Sequence, residues 1–351
     1  MHQTNNQGED GIDTPNILSE PAKKDWAALY EAAIGFKGVA PWQWMADDDL
    51  FAVENPSDGE VGYCAVLGKE GEEFGLVVFV GQEGYRSYLQ IVTGEVEPES
   101  FDFWVSLRSL SAIFSDRDEI CRQDREVIRL LGLRFRGRNA WPLFRSQCPC
   151  YVPWYLDQGE VLFLTAALGQ SLIVAGRVAN EGLDLFRGVD ADLILTRYYY
   201  DGQWLDEWRR PKVSSRQVIK PPAPDGERLD RLRLTARRLR GPWELDFFHV
   251  PAVVDSGSGR PYYPCCILAV DRGSGLIIGV DLMGPSPSDE EKQNRAIGML
   301  ERGKQLPAEI WVASPEVKRV IEPVTEALGI GLILGPPTVL QQAKRSLNGY
   351  L

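Results

Sequence analysis

The chain has 351 residues, 44% of them hydrophobic and 25% charged, which excludes a disordered or fibrous protein and exceeds what one hydrophobic core usually organises, so two domains are expected. The formal net charge of −12 argues against a coat for nucleic acid or an anionic membrane, since both need a field of opposite sign. Six cysteines are too few for a disulfide scaffold, and the adjacent Cys265 and Cys266 would bridge only under strain, so free thiols in a reducing compartment are expected.

Residues 1–20 are polar, show no periodicity and are expected to form a tail. They lack the cationic start and apolar stretch of a signal peptide, and no later apolar run reaches the roughly 18–20 residues that span a bilayer. A cytoplasmic protein without a membrane partner is therefore expected. Order begins at Asp25 to Lys37, where Trp26, Leu29, Tyr30, Ala33 and Phe36 make one helical stripe. Three β-rich runs follow, Leu50 to Val53, Val61 to Leu67 and Phe74 to Val80, separated by turn-forming residues, and then a helix over Tyr85 to Val92. This predicts an α-β-β-β-α unit.

From Phe101 to Val178 the pattern reads as helical, clearest over Arg117 to Leu131 and Asp157 to Val178, with Pro142, Pro149 and Pro153 between them. Asp157 with Glu160 three residues on fits a capping box. Asp201-Gly202 predicts a hairpin turn between Leu193 to Tyr200 and Gln203 to Trp208. Lys220-Pro-Pro-Ala-Pro-Asp-Gly226 is the best linker in the chain. The expected organisation is a tail over 1–20, an N-terminal α+β domain over 21–219, a linker over 220–226 and a C-terminal domain over 227–351.

Beyond an Arg-rich segment, Trp243 to Val254, Tyr262 to Val270 and Leu276 to Leu282 read as a second meander. A helix over Asp289 to Arg302 behind Ser288, a strand at Glu309 to Val312, a helix over Glu316 to Leu328, a strand at Ile330 to Leu334 and a helix from Thr338 complete the order βββαβαβα. The alternating second half should add parallel strands beside the antiparallel three. No repeat of fixed period occurs.

That order resembles the RNase H-like fold of integrases and transposases, as does the local text: Trp243-Glu-Leu-Asp246 on the first strand, Ala-Val-Asp271 ending the second, Leu-Ile-Ile-Gly279 on the third. The resemblance implies a two-metal nuclease centre whose first aspartate is Asp246. The set is incomplete: after the fourth strand the chain reads Ala313-Ser314-Pro315 with no acid before Glu316, and Gln341, Gln342, Lys344 and Arg345 occupy the last helix where a third acid belongs. Asp271 suits a turn and Asp281 alternates outward. The ordered chain also resembles a bacterial, mostly Firmicutes, family of two linked domains of unknown function, through Pro41-Trp-Gln-Trp-Met45, Gly62-Tyr-Cys-Ala-Val-Leu-Gly68, Phe135-Arg-Gly-Arg-Asn-Ala-Trp-Pro-Leu-Phe-Arg145 and Tyr151-Val-Pro-Trp-Tyr155. That resemblance implies an architecture and no activity.

Cys148, Cys150, Cys265 and Cys266 lack paired zinc-knuckle spacing and read as small buried hydrophobes, and His249 reads as a satisfied strand residue. Gly62 to Lys69 misspaces a phosphate loop, Gly273 to Gly279 opens a strand instead of a helix, and no nucleophile elbow occurs, so no cofactor is expected. Pro41 to Ser100 holds 13 acids against 2 bases, whereas Arg108 to Arg145 holds 9 arginines against 5 acids and Arg228 to Arg240 holds 6 against one. The arginines could form a phosphate track or pair within the protein, and the second is favoured because the acidic stretch would repel a polyanion. Trp42, Trp44, Trp141 and Trp154, with Arg136 and Arg138, are candidates for an aromatic groove, against the alternative of core packing. The expectation is a non-catalytic binding module for a protein or peptide, with a metal-dependent nuclease using Asp246, or nucleic-acid binding without chemistry, as alternatives.

Overall fold

The computed structural model describes residues 22–97, 100–186, 190, 192–212, 220–255, 257 and 259–350; the tail expected over 1–20 lies outside them. The chain divides into two compact units, Met1–Ser215 with Ser256–Arg260, and Arg216–Asp255 with Pro261–Leu351.

In the first unit the order is α1 (Lys23–Val39), a 3-10 turn (Pro41–Gln43), β1 (Phe51–Glu54), β2 (Val61–Leu67), β3 (Gly75–Val80), α2 (Gly81–Val92), α3 (Phe101–Ser106), β4 (Ser109–Ser115), α4 (Arg122–Leu130), β5 (Trp141–Gln147), α5 (Gln158–Glu181), β6 (Ile194–Tyr200) and β7 (Gln203–Arg209). The strands form one sheet, β5-β4-β3-β2-β1-β6-β7, antiparallel except where β1 meets β6. Both faces are covered. Cys64 and Val66 of β2 point to a core built with α1 and α5, while Tyr63 and Ala65 point to a smaller one closed by α2 and α3. A strand buried on both sides has no polar face, which is why β2 reads as an unbroken apolar run.

The second unit runs α6 (Gly226–Thr235), β8 (Arg237–Arg238), β9 (Trp243–His249), β10 (Cys265–Asp271), β11 (Ile277–Met283), α7 (Asp289–Gly303), β12 (Gln305–Leu306), β13 (Glu309–Val312), α8 (Pro315–Leu328), β14 (Gly331–Leu334) and α9 (Leu340–Tyr350). Its main sheet has the order β11-β10-β9-β13-β14, the first three antiparallel and β9, β13 and β14 parallel. In chain order that is third-second-first-fourth-fifth, the RNase H-like arrangement, and the chain as a whole is α+β. Trp243, Leu245, Ile267, Ile310 and Val312 pack against α6, α7 and α8, and Cys266, Leu268 and Val270 against Leu340 and Ala343 of α9.

Four expectations change. The helical reading of Phe101 to Val178 is wrong at β4 and β5, which extend the sheet beyond β3. Leu110, Ala112 and Phe114 of β4 alternate into the core, and Pro142 is accepted in β5 because an edge strand does not need every N–H. The first strand of the second meander stops at His249 instead of Val254, leaving only an isolated bridge between Val254 and Tyr262. The Arg-rich segment is a helix, α6, capped by the Asp225 carboxylate on the amides of Glu227 and Arg228, so the end of the expected linker is a helix start. Finally, α5 is long and apolar enough to cross a membrane, against the expectation that no such run exists; its inward residues, among them Val161, Leu164, Leu168 and Val174, form the core of the first unit.

Candidate functional site: the carboxylate strand of the second unit

Alternation along β9 sends Trp243, Leu245 and Phe247 to one side of the sheet and Glu244, Asp246 and Phe248 to the side that α9 covers. Asp246 is buried. Its Oδ2 accepts from Lys344 Nζ of α9 at 2.5 Å, its Oδ1 accepts from the Phe247 amide at 2.9 Å, and the same ammonium lies 4.2 Å from the Phe248 ring centre. β13 runs parallel to β9 with Trp311 beside Glu244, and past its end at Val312 the chain continues with Ala313. The next side chain, Ser314, caps α8 through the Glu316 amide at 3.1 Å, and Glu316 reaches toward Lys292 at 3.9 Å. Among the described residues no group of three or more His, Cys, Asp or Glu side chains is placed to hold a metal.

The sequence reading passed over Glu244, two residues earlier on the same face and 1% exposed. Its carboxylate accepts from the amides of Thr338 at 2.9 Å, Val339 at 3.0 Å and Leu340 at 2.8 Å, and from the Thr338 hydroxyl at 2.5 Å. It thus caps α9, whose own first turn carries no acid. Arg272 adds a guanidinium at 3.2 Å and stacks on the Trp311 ring, 3.7 Å from its centre, while Trp311 Nε1 donates to Glu309 at 3.2 Å. Burial pushes the Glu244 carboxyl up, but the Thr338 hydroxyl and the three amides outweigh it and hold the group below the usual carboxylate range. The available signal was an acid inside an apolar strand with no charge partner nearby in sequence; the amides that hold it lie 94 to 96 residues away, and Arg272 follows the end of β10.

The other acids are engaged locally. Asp271 accepts from the Ser274 amide and hydroxyl, both at 2.7 Å, as a turn aspartate does, and those bonds lower its pKa. Asp281 meets Arg295 at 3.2 Å and Arg302 at 3.5 Å. His249 bonds the Pro285 carbonyl at 2.8 Å. Cys265 and Cys266 are both buried on β10 but face opposite cores, and Cys148 and Cys150 lie half-buried in the turn after β5.

Of the aromatic candidates, Trp42 packs against Phe74 and Phe114, Trp44 donates from Nε1 to the Ala175 carbonyl at 3.1 Å, and Trp141 meets Phe135. All three lean on the core of the first unit. Trp154 stands edge-on to Tyr155 and pairs through its backbone with Ser146 of β5, at 2.8 and 2.9 Å. Arg136 and Arg138 are exposed, Arg138 3.8 Å from Asp116. In α6 and β8, Arg228 forks onto Glu301 at 2.6 and 3.0 Å, Arg233 pairs with Asp230 at 2.6 Å, and Arg238 donates to the Leu328 carbonyl at the end of α8; Arg231 and Arg237 face solvent.

No curated protein matches the chain. Among solved structures, the catalytic core domain of BIV integrase is similar at 18% identity and a TM-score of 0.24, over 32% of this chain and 68% of that one. The topology stated above rests on strand order and not on that likeness. Residues 26–197 match the family model of a domain of unknown function (DUF7309), and residues 228–348 match that of a second domain of unknown function (DUF6930).

Proposed function

We propose that the chain is a non-catalytic binding protein whose second unit keeps the RNase H-like sheet as a scaffold, with a protein or peptide as its partner. One observation carries the reading: the ammonium of Lys344 sits on Asp246 where two-metal chemistry would need a cation and further carboxylates. Glu244, the nearest acid on that face, is spent on capping α9. A protein partner is supported by β11, an edge strand whose Ile277, Val280 and Leu282, with the preceding Leu276, are exposed; unpaired backbone beside apolar side chains suits an added strand. The bacterial and cytoplasmic setting belongs to the same proposal; six free cysteines support a reducing compartment.

The test is incubation of the purified protein with single- and double-stranded DNA and RNA in Mg²⁺ or Mn²⁺, with the melting temperature followed against Mn²⁺. No cleavage and no metal-dependent stabilisation are expected. Divalent-dependent cleavage that disappears in Asp246→Asn, with folding intact, would overturn the proposal.

A further inference from the structure

On the α2 side of the first unit's sheet there is a cavity of 520 Å³, a volume typical of small-molecule sites. Its walls come from β1, β2, the start of α2, β6 and the chain leaving β7. Its acids are already engaged. Glu60 receives the Arg108 guanidinium on both oxygens, at 2.8 and 2.9 Å, and Glu54 accepts from Arg209, whose Nε is held by Glu207 at 2.7 Å. Arg210 leans toward Asp190 at 3.5 Å and Asp192 at 3.7 Å.

What remains open is mostly donors. Lys212 lines the cavity with no ion-pair partner among the described residues, and the Gln82 amide is likewise unengaged. No side chain among the described residues caps α2 or accepts from the amides of its first turn, and Gly81, at φ +67°, brings those amides to the cavity wall, where a Cβ would stand 2.6 Å from Glu60 Oε1. Tyr63 is the most telling group: it is 5% exposed, its ring lies 4.4 Å from that of Tyr85, and its hydroxyl makes no hydrogen bond with the described residues. Burial pushes that hydroxyl up to about 12, so at neutral pH it is a phenol with a proton to donate. Tyr63 lines the cavity, and its hydroxyl is a donor available to an acceptor bound there.

We propose that this cavity binds a small molecule through a phosphate group, held by the Lys212 ammonium, the Tyr63 hydroxyl and the first-turn amides of α2. Donors arriving from three elements suit a tetrahedral oxyanion better than a planar carboxylate, and helix amides with a lysine are a recurrent phosphate cradle. The inference is independent of the reading of the second unit.

Calorimetric titration of the full chain with inorganic phosphate, and with acetate at equal ionic strength, tests it. Saturable phosphate binding is expected, weakened at least about fivefold in Lys212→Ala and in Tyr63→Phe, with no binding of acetate. Because the hydroxyl makes no hydrogen bond with the described residues, Tyr63→Phe is expected to melt no lower than the parent. Absence of saturable phosphate binding, affinity unchanged in both variants, acetate binding as tight as phosphate, or a clear loss of melting temperature in Tyr63→Phe would each overturn the proposal.

Discussion

Lys344 and Asp246 are each largely shielded from water, so the cost of separating them exceeds that of a surface pair. Lys344→Ala leaves a buried carboxylate uncompensated and is expected to lower the stability of the second unit by about 3 kcal/mol, read from urea unfolding. The double variant Asp246→Asn/Lys344→Met removes both charges and should recover most of that loss, since a buried pair seldom outperforms an uncharged replacement of similar volume. A double variant as unstable as the sum of its single changes would show that the two side chains do not act as a pair. Glu244 adds a pH dependence of definite sign. Its carboxyl is held below its unfolded value of about 4.3, so its contribution is fully present above that pH and is lost as pH falls through the folded value. Glu244→Gln should cost about 2 kcal/mol at pH 7, and the gap to the parent should narrow toward pH 3 in urea midpoints measured across that range.

Secondary elements were legible where their own pattern decided them. The α1 stripe of Trp26, Leu29, Tyr30, Ala33 and Phe36 is buried as its spacing requires, and the Asp157–Glu160 capping box forms at the start of α5 with both reciprocal bonds. The hairpin turn holds Asp201 and Gly202 at φ +47° and +80°, the left-handed pair that Asp-Gly favours. Strand β5 was not legible, because Pro142 argues locally against a strand and only its place at the sheet edge makes it harmless. Close approach of β3 and β4 is equally invisible in sequence. A Cβ on Gly75 would stand 2.2 Å from the Ala112 carbonyl oxygen, so Gly75→Ala is expected to cost about 2 kcal/mol or more in thermal or urea unfolding, by forcing these strands apart. Unchanged stability would mean that the pairing of Gly75 with Ile113 can relax without loss.

Each unit has cores of its own: those of the first are drawn from residues 26–208 and those of the second from residues 229–347. Residues 220–351 expressed alone are therefore expected to unfold cooperatively, with a sigmoidal urea transition and dispersed amide resonances. A chain lacking both would show that the second unit depends on the first. The Pro222 carbonyl within this fragment accepts from Gln293 at 3.2 Å, which favours keeping the proline segment in it. By itself the sequence determined what depends on neighbours in the chain: helix stripes, caps, the hairpin turn and the order βββαβαβα, because periodicity and turn chemistry act over a few residues. Only the tertiary structure decided which partners Asp246 and Glu244 have. Lys344 reaches Asp246 across 98 residues and Thr338 reaches Glu244 across 94, and contacts at such separations are set by how strands and helices pack and not by any local spacing.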